Sequence, residues 1–271
     1  MLPMPRIEVA LIDSNGQLDT FKAYPDEFID DVMSAKVDSM ANDYYIKTIF
    51  NLDSLSNTVF SEDNLVPGDS ADLNLSVAND LTDSLIMKRL ADINSFIDLS
   101  FNSKVREMVE FYTKKRHDKI ETMLGLTSFY FPMIEETLDK YKLPLELKYM
   151  AVIESAMNAR AVSRVGASGM WQFMYKTGKL YDLEVNSYID ERYDPIKATD
   201  AAARYLKDLY SIYGDWHLVI AAYNCGPGNI NRAIARTGGK QDYWEIYSRL
   251  PRETRGYVPA FIAAAYTVNY Y

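Results

Sequence analysis

Apolar positions along the second half of the chain recur at helical spacing. SKVREMVEFYTKKRHDKIETMLG places Val105, Met108, Val109, Tyr112, Ile120, Met123 and Leu124 on one stripe and its charges elsewhere, which predicts an amphipathic helix closing on Gly125. FPMIEETLDKYKL opens with Pro132 at a first helical position, and PLELKYMAVIESAM repeats the device with Pro144. Asp194-Pro195 then opens PIKATDAAARYLKDLYSIYG, where Thr199, Ala203, Leu206, Tyr210 and Tyr213 share a face and Gly214 ends the helix. Asp215 caps WHLVIAAYN, apolar nearly all round and so expected in the core, which stops at Gly226-Pro227-Gly228. Short helices are expected over 229–236 and 242–250, and a last one starting at Pro259. Few convincing alternating strands follow residue 85, so this part reads as mainly α.

The first 84 residues differ. They are rich in Asp, Ser and Asn, as in NLDSLSNTVFSEDNLVPGDSADLNLS, with little sustained periodicity. Net charge is −9, yet residues 1–100 carry 18 acidic and 6 basic side chains, leaving +3 for residues 101–271. We therefore expect an acidic, irregular extension over 1–84, a helical packing segment over 85–130 and a compact helical domain over 131–271. The acidic balance argues against nucleic acid as a partner. No run of about 18 uninterrupted apolar residues predicts a membrane span. The N-terminus lacks the basic and apolar pattern of a secretory signal, so the protein is either cytosolic or numbered after a removed leader. Cys225 is the single cysteine, so no intrachain disulfide forms. No metal is indicated, because DSNGQLD at 13–19 lacks the spacing and terminal glutamate of a calcium loop.

Chemistry concentrates around Glu154. Leu147, Met150, Ala151 and Glu154 follow i, i+3, i+4, i+7 spacing, so the carboxylate shares an apolar stripe, where burial would keep it protonated near neutrality. It equally suits a structural carboxylate capping a loop or pairing with Arg160 or Arg164. From Ser155 through Tyr181 there is no other Asp or Glu. GASGMWQFM offers glycines that let a backbone approach a ligand, and AAYNCGPGN a tyrosine beside a helix stop; each taken singly reads as turn and core.

Taken in order, IESAMNARAVSRVGASGMWQFM, AAYNCGPGNI and ETRGYVPAFIAA resemble the soluble lytic transglycosylase family, lysozyme-like enzymes that cleave peptidoglycan, in particular its membrane-bound D branch. The resemblance covers about residues 103–271. Family motifs stand here as Glu154-Ser155, Gly169-Met170-Trp171-Gln172, Ala222-Tyr223-Asn224-Cys225-Gly226 and Tyr257-Val258-Pro259; Met170 departs mildly and Cys225 replaces the commoner alanine. It implies a lysozyme-like fold and a reaction with one carboxylate and no cofactor. Glu154 would protonate the oxygen between N-acetylmuramic acid and N-acetylglucosamine, then take the C6 hydroxyl proton to leave a 1,6-anhydro end. Tyr223 and Tyr257 would orient the carboxylate. Ser163, Ser168, Gly169, Met170, Gln172 and Asn224 would bind glycan, and Trp171 would be wall or core. Cys225 and His217 would be packing. A hydrolytic relative would need a second acid, the nearest downstream being Asp182, Glu184, Asp190 and Glu191. A monomer acting on peptidoglycan strands in the periplasm, or at the outer membrane, is expected.

Overall fold

The computed structural model describes residues 81–271 apart from Arg116, with the side chains of 114–119 left aside, and the two strands β1 (Ile7–Ile12) and β2 (Leu18–Ala23). These strands pair antiparallel with Ile7 opposite Ala23 and Ile12 opposite Leu18, so part of the extension expected to be irregular forms a ladder. The remainder of residues 1–80, including DSNGQ at 13–17, and the His117 side chain lie outside the described residues.

From Leu81 onward the fold is mainly helical. Among the described residues ten α-helices follow one another: α1 (Asp83–Asp92), α2 (Ser103–Lys115), α3 (His117–Lys140), α4 (Tyr149–Ser155), α5 (Tyr175–Leu180), α6 (Pro195–Tyr213), α7 (Trp216–Cys225), α8 (Pro227–Arg236), α9 (Tyr243–Ile246) and α10 (Arg252–Tyr270). Single 3₁₀ turns precede α4 and α6 and follow α9. The α6 boundaries follow from local chemistry: Asp194 accepts from the amides of Ile196 and Lys197, Pro195 occupies the first turn, and Gly214 closes the helix at φ 63°. Asp215 caps α7 through the Leu218 amide at 2.8 Å.

α10 is the central post. From Tyr257 through Thr267 every side chain is buried, and the helix packs against α2, α4 and α7, while α6 lies on α7 and α3. The Arg89 guanidinium donates to Tyr266 Oη at 2.9 Å and Tyr270 Oη to the Arg89 carbonyl, so α1 is strapped to the far end of α10. Val105, Val109 and Tyr112 of α2 are buried in the same core, and the boundary expected at 130/131 falls inside α3.

Two expected helix starts are absent as such. α3 runs through Gly125 and Pro132, and α10 begins at Arg252, seven residues before Pro259. A proline inside a helix removes one amide and orphans the carbonyl four residues earlier. For Pro132 that carbonyl belongs to Ser128, an exposed residue that water can serve. For Pro259 it is the carbonyl of Arg255, and Tyr243 Oη donates to it at 2.8 Å. A side chain from α9 thus replaces the missing backbone bond, which is why a buried helix tolerates the proline.

Candidate active site

Glu154 sits in the last turn of α4, whose other residues are all buried. The chain leaves that helix abruptly: Ala156 and Met157 both take left-handed conformations, φ 52° and 67°, and their amides bond back to Val152 and Ala151. This places a carboxyl at the edge of an apolar helix end, facing α10. Tyr257, fully buried on α10, donates its hydroxyl to Glu154 Oε1. Burial pushes the Glu154 carboxyl up to about 8, against the pull of the Tyr257 hydrogen bond and with the negative charge of Glu253 adding to the rise. Arg160 and Arg164, the alternative partners, are both exposed.

A loop from Asn158 to Met174 lies beside the acid and is held by its own hydrogen bonds. Ser168 and Phe173 exchange both backbone bonds at 3.0 Å, the Gly169 amide donates to the Ala161 carbonyl at 2.8 Å, and Ser155 Oγ donates to the Met170 carbonyl at 2.8 Å. The Gln172 side-chain Nε2 donates to the carbonyls of Gly169, at 2.8 Å, and Ala161. Ser163 Oγ accepts from the Ala167 amide at 2.9 Å. Arg192 fastens this loop from behind: it donates to the carbonyls of Gly166 and Phe173 at 2.9 and 3.1 Å, while Asp190 accepts from its other nitrogens. Gly169, at φ 81°, backs directly onto the Arg192 carbonyl.

Of the expected glycan-binding side chains, Ser163, Gln172 and Asn224 keep partial exposure, whereas Ser168 at 2% and Met170 at 1% are enclosed. The loop folds back on Arg192 and turns both of these side chains inward, where Ser168 Oγ meets Gly166 O and Tyr193 Oη. Trp171 is core, with Nε1 donating to Thr199 Oγ1 at 2.9 Å. Tyr223 is near the acid but donates to the Trp171 carbonyl at 2.8 Å, so the loop is what it braces. Asn224 Oδ1 accepts from Thr254 Oγ1 at 2.9 Å. His217 is satisfied by the Asp98 carbonyl, and burial pushes the Cys225 thiol up to about 12, far from a thiolate nucleophile.

The downstream acids are engaged elsewhere. Asp182 pairs with Arg204 at 2.9 Å, Asp190 with Arg192 at 2.7 Å and Glu191 with Lys197, while Glu184 accepts from the Asn186 side chain. Lys197 and Arg192 hold Glu191 and Asp190 below the usual carboxylate range. Among the described residues, the carboxylate whose charge reaches Glu154 is Glu253, one turn before Tyr257 on α10 and pushed by burial up to about 7. Among the described residues no cluster of three or more His, Cys, Asp or Glu could hold a metal, and no helix is long and apolar enough to cross a membrane.

A carboxyl raised in the fold is a stability cost that grows with pH. The native state keeps the Glu154 proton up to about 8 while an unfolded chain loses it near 4.5, so this contribution is intact below 4.5 and lost as pH climbs through 8. Glu154→Gln should then be more stable than the unsubstituted chain at pH 9 by on the order of 2 kcal/mol, discounted for partial exposure, and nearly equal to it at pH 4. Thermal melts at the two pH values check this; equal stability at pH 9 would contradict the buried, protonated acid.

Residues 132–246 match the family model of the transglycosylase SLT domain, a span that holds Glu154, the loop, Tyr223 and Asn224 and ends before Glu253 and Tyr257. The membrane-bound lytic murein transglycosylase D of Escherichia coli (strain K12) is 32% identical over 166 residues, which are 60% of this chain and 36% of that protein. The soluble lytic murein transglycosylase of the same strain is 33% identical over 116 residues, 41% of this chain and 18% of the relative. The crystal structure of the 70 kDa soluble lytic transglycosylase from Escherichia coli aligns over 62% of this chain and 31% of its own at 23% identity, with a TM-score of 0.46. The chain thus spans about a third or less of the length of these relatives.

Proposed function

We propose that the protein, whose residues 132–246 match the family model of the transglycosylase SLT domain, cleaves peptidoglycan at the β-1,4 bond between N-acetylmuramic acid and N-acetylglucosamine, without water. One observation carries this reading: Glu154 is desolvated, raised to about 8, and bonded at Oε1 by the Tyr257 hydroxyl. Tyr257 donates to one carboxyl oxygen, which leaves the other, Oε2, to bear the acid proton. That proton passes to the glycosidic oxygen as the bond breaks, and the leaving sugar departs with it. The substrate's own N-acetyl group stabilises the cationic carbon, so no enzyme nucleophile is required. Glu154, now ionised, accepts the C6 hydroxyl proton while the C6 oxygen bonds to C1, closing a 1,6-anhydro ring and restoring the acid. Protons balance across the two steps, and no external oxidant or cofactor enters.

The loop supports the substrate side of the proposal. Asn224, Gln172, Ser163 and the Gly169 backbone are the groups assigned to N-acetyl and hydroxyl contacts, and Tyr223 holds the loop at its Trp171 carbonyl. Such positioning supplies what general acid–base chemistry, worth on the order of 10²- to 10⁴-fold, does not. The substrate places the protein in the periplasm or at the outer membrane. A hydrolytic reading draws on one observation, the second desolvated carboxyl at Glu253.

Clearing of a purified peptidoglycan suspension, followed together with a reducing-end assay, separates these readings. Turbidity should fall with no matching rise in reducing ends, because an anhydro ring has none. Reducing ends rising in step with clearing would favour hydrolysis. Sedimentation with the glycan but no clearing would make the chain a binding module and end the enzymatic reading.

A further inference from the structure

On the reading of this site as a glycan site, we propose that Thr254 is a positioning residue: its hydroxyl fixes the Asn224 side chain so that the amide nitrogen faces the glycan and donates to an N-acetyl carbonyl. A direct contact carries this, since Thr254 Oγ1 donates to Asn224 Oδ1 at 2.9 Å. Thr254 is the third residue of α10 and fully buried, while Asn224 lies in the last turn of α7 and is half-buried.

The direction of that hydrogen bond follows from what surrounds the hydroxyl. Thr113, Thr199 and Thr267, buried in other helices or further along α10, each donate to the carbonyl four residues back, at 2.8, 2.6 and 2.8 Å. For Thr254 that carbonyl belongs to Leu250, which precedes the helix and accepts from Arg255 Nε at 3.0 Å. The neighbouring Cys225 is held as a thiol by burial, and a thiol is a weak acceptor beside an amide oxygen. The threonine proton therefore goes to Asn224 Oδ1. A carboxamide carries its oxygen and nitrogen on opposite sides of one planar group, so an oxygen turned to the buried threonine leaves the NH₂ on the accessible side.

The same contacts tie Asn224 to the acid. Thr254 and Tyr257 stand at i, i+3 on one face of α10, and Tyr257 donates to Glu154. Tyr223, next to Asn224, donates to the Trp171 carbonyl at 2.8 Å, and Tyr243 Oη donates to the Thr254 carbonyl at 3.1 Å, so both ends of the Thr254–Asn224 bond are anchored. A donor whose direction is set before binding suits the planar carbonyl of an N-acetyl group, and no freedom of the amide is lost when it binds.

The test is binding of the neutral oligomer tetra-N-acetylchitotetraose, followed by NMR through the ¹⁵N-labelled Asn224 side chain in a Glu154→Gln chain, where no turnover intervenes. Added to that chain, Asn224→Asp keeps an oxygen for Thr254 but turns the outward donor into an acceptor, and should weaken binding about tenfold or more. Thr254→Val removes the hydroxyl at constant shape and should weaken binding about three- to tenfold, Thr254→Ser should restore it, and Thr254→Val should add nothing where Asn224→Ala has removed the amide. With Glu154 intact, the Thr254→Val loss in muropeptide release should appear in KM with kcat unchanged. Unchanged binding in Asn224→Asp overturns the proposal, as does equal weakening by Thr254→Val with and without the Asn224 amide, or failure of the Glu154→Gln chain to bind the oligomer. If Thr254→Val does not fold, Asn224→Asp decides alone, because it keeps the buried contact. The predicted binding pattern in a chain that never clears peptidoglycan would sink the enzymatic reading and leave the positioning standing.

Discussion

Glu154→Gln is expected to lower peptidoglycan clearing by about 10³-fold or more, because in the proposed reaction this one residue donates a proton in the first step and accepts one in the second. An amide does neither at accessible pH. The substitution is close to isosteric, and the glutamine carbonyl can still accept from Tyr257, so the packing of α4 on α10 should survive. Binding to insoluble peptidoglycan should therefore persist while clearing disappears. Loss of both would point to a damaged fold, but the variant is expected to melt at or above the unsubstituted protein from neutral to alkaline pH, since it removes the burden of a buried acid. Retained clearing in a well-folded Glu154→Gln chain would remove Glu154 from the chemistry.

Gly169→Ala should be the most damaging substitution outside the acid itself. A Cβ there would fall 1.7 Å from the Arg192 carbonyl oxygen and 2.7 Å from its carbon, both backbone atoms of a turn fixed by the Asp190–Arg192 pair. Nor can rotation help, since φ is 81°, a conformation that costs a residue with a side chain further strain. The loop must lift from Arg192, which breaks the hydrogen bonds to Gly166 and Phe173 and displaces the Met170 and Trp171 carbonyls that Ser155 and Tyr223 hold. A loss of about 3 kcal/mol or more in urea unfolding is expected, with clearing reduced at least about tenfold where the chain still folds. Gly166→Ala is the internal comparison: that glycine also has positive φ, 86°, but a Cβ would meet open space, so the loss should be near 1 kcal/mol. Equal effects at the two positions would show that the close approach of Arg192 is not what holds the loop.

Much of this site is written in local sequence. The stripe Leu147, Met150, Ala151, Glu154 places the acid on the apolar face of α4, and Asp194-Pro195 and Asp215 fix two helix starts by chemistry within three residues of the cap. What escaped local reading depends on distant partners. Pro259 looks like a helix start because that is where proline fits without loss; only the hydroxyl of Tyr243, sixteen positions earlier, makes an interior position tolerable. Starting the helix at Pro259 leaves Glu253 off it, and hides that Glu253 and Tyr257 share a face, although ETRGY carries the i, i+4 spacing in plain view. Ser168 and Met170 read as loop residues facing a ligand; Arg192, about twenty residues on, draws the loop inward and encloses them. Pattern placed Glu154 on the apolar face of α4, and long-range hydrogen bonds decided which of the neighbouring side chains remain accessible.

Whether a single carboxylate completes the cut without water is read from the intact mass of the released muropeptides. Digestion of purified peptidoglycan by the protein should yield products lighter by one water than those from a hydrolytic muramidase run beside it, with the missing water accounted for by an anhydro ring on the muramic residue. Products of the hydrolytic mass, appearing at the rate of clearing, would contradict the account.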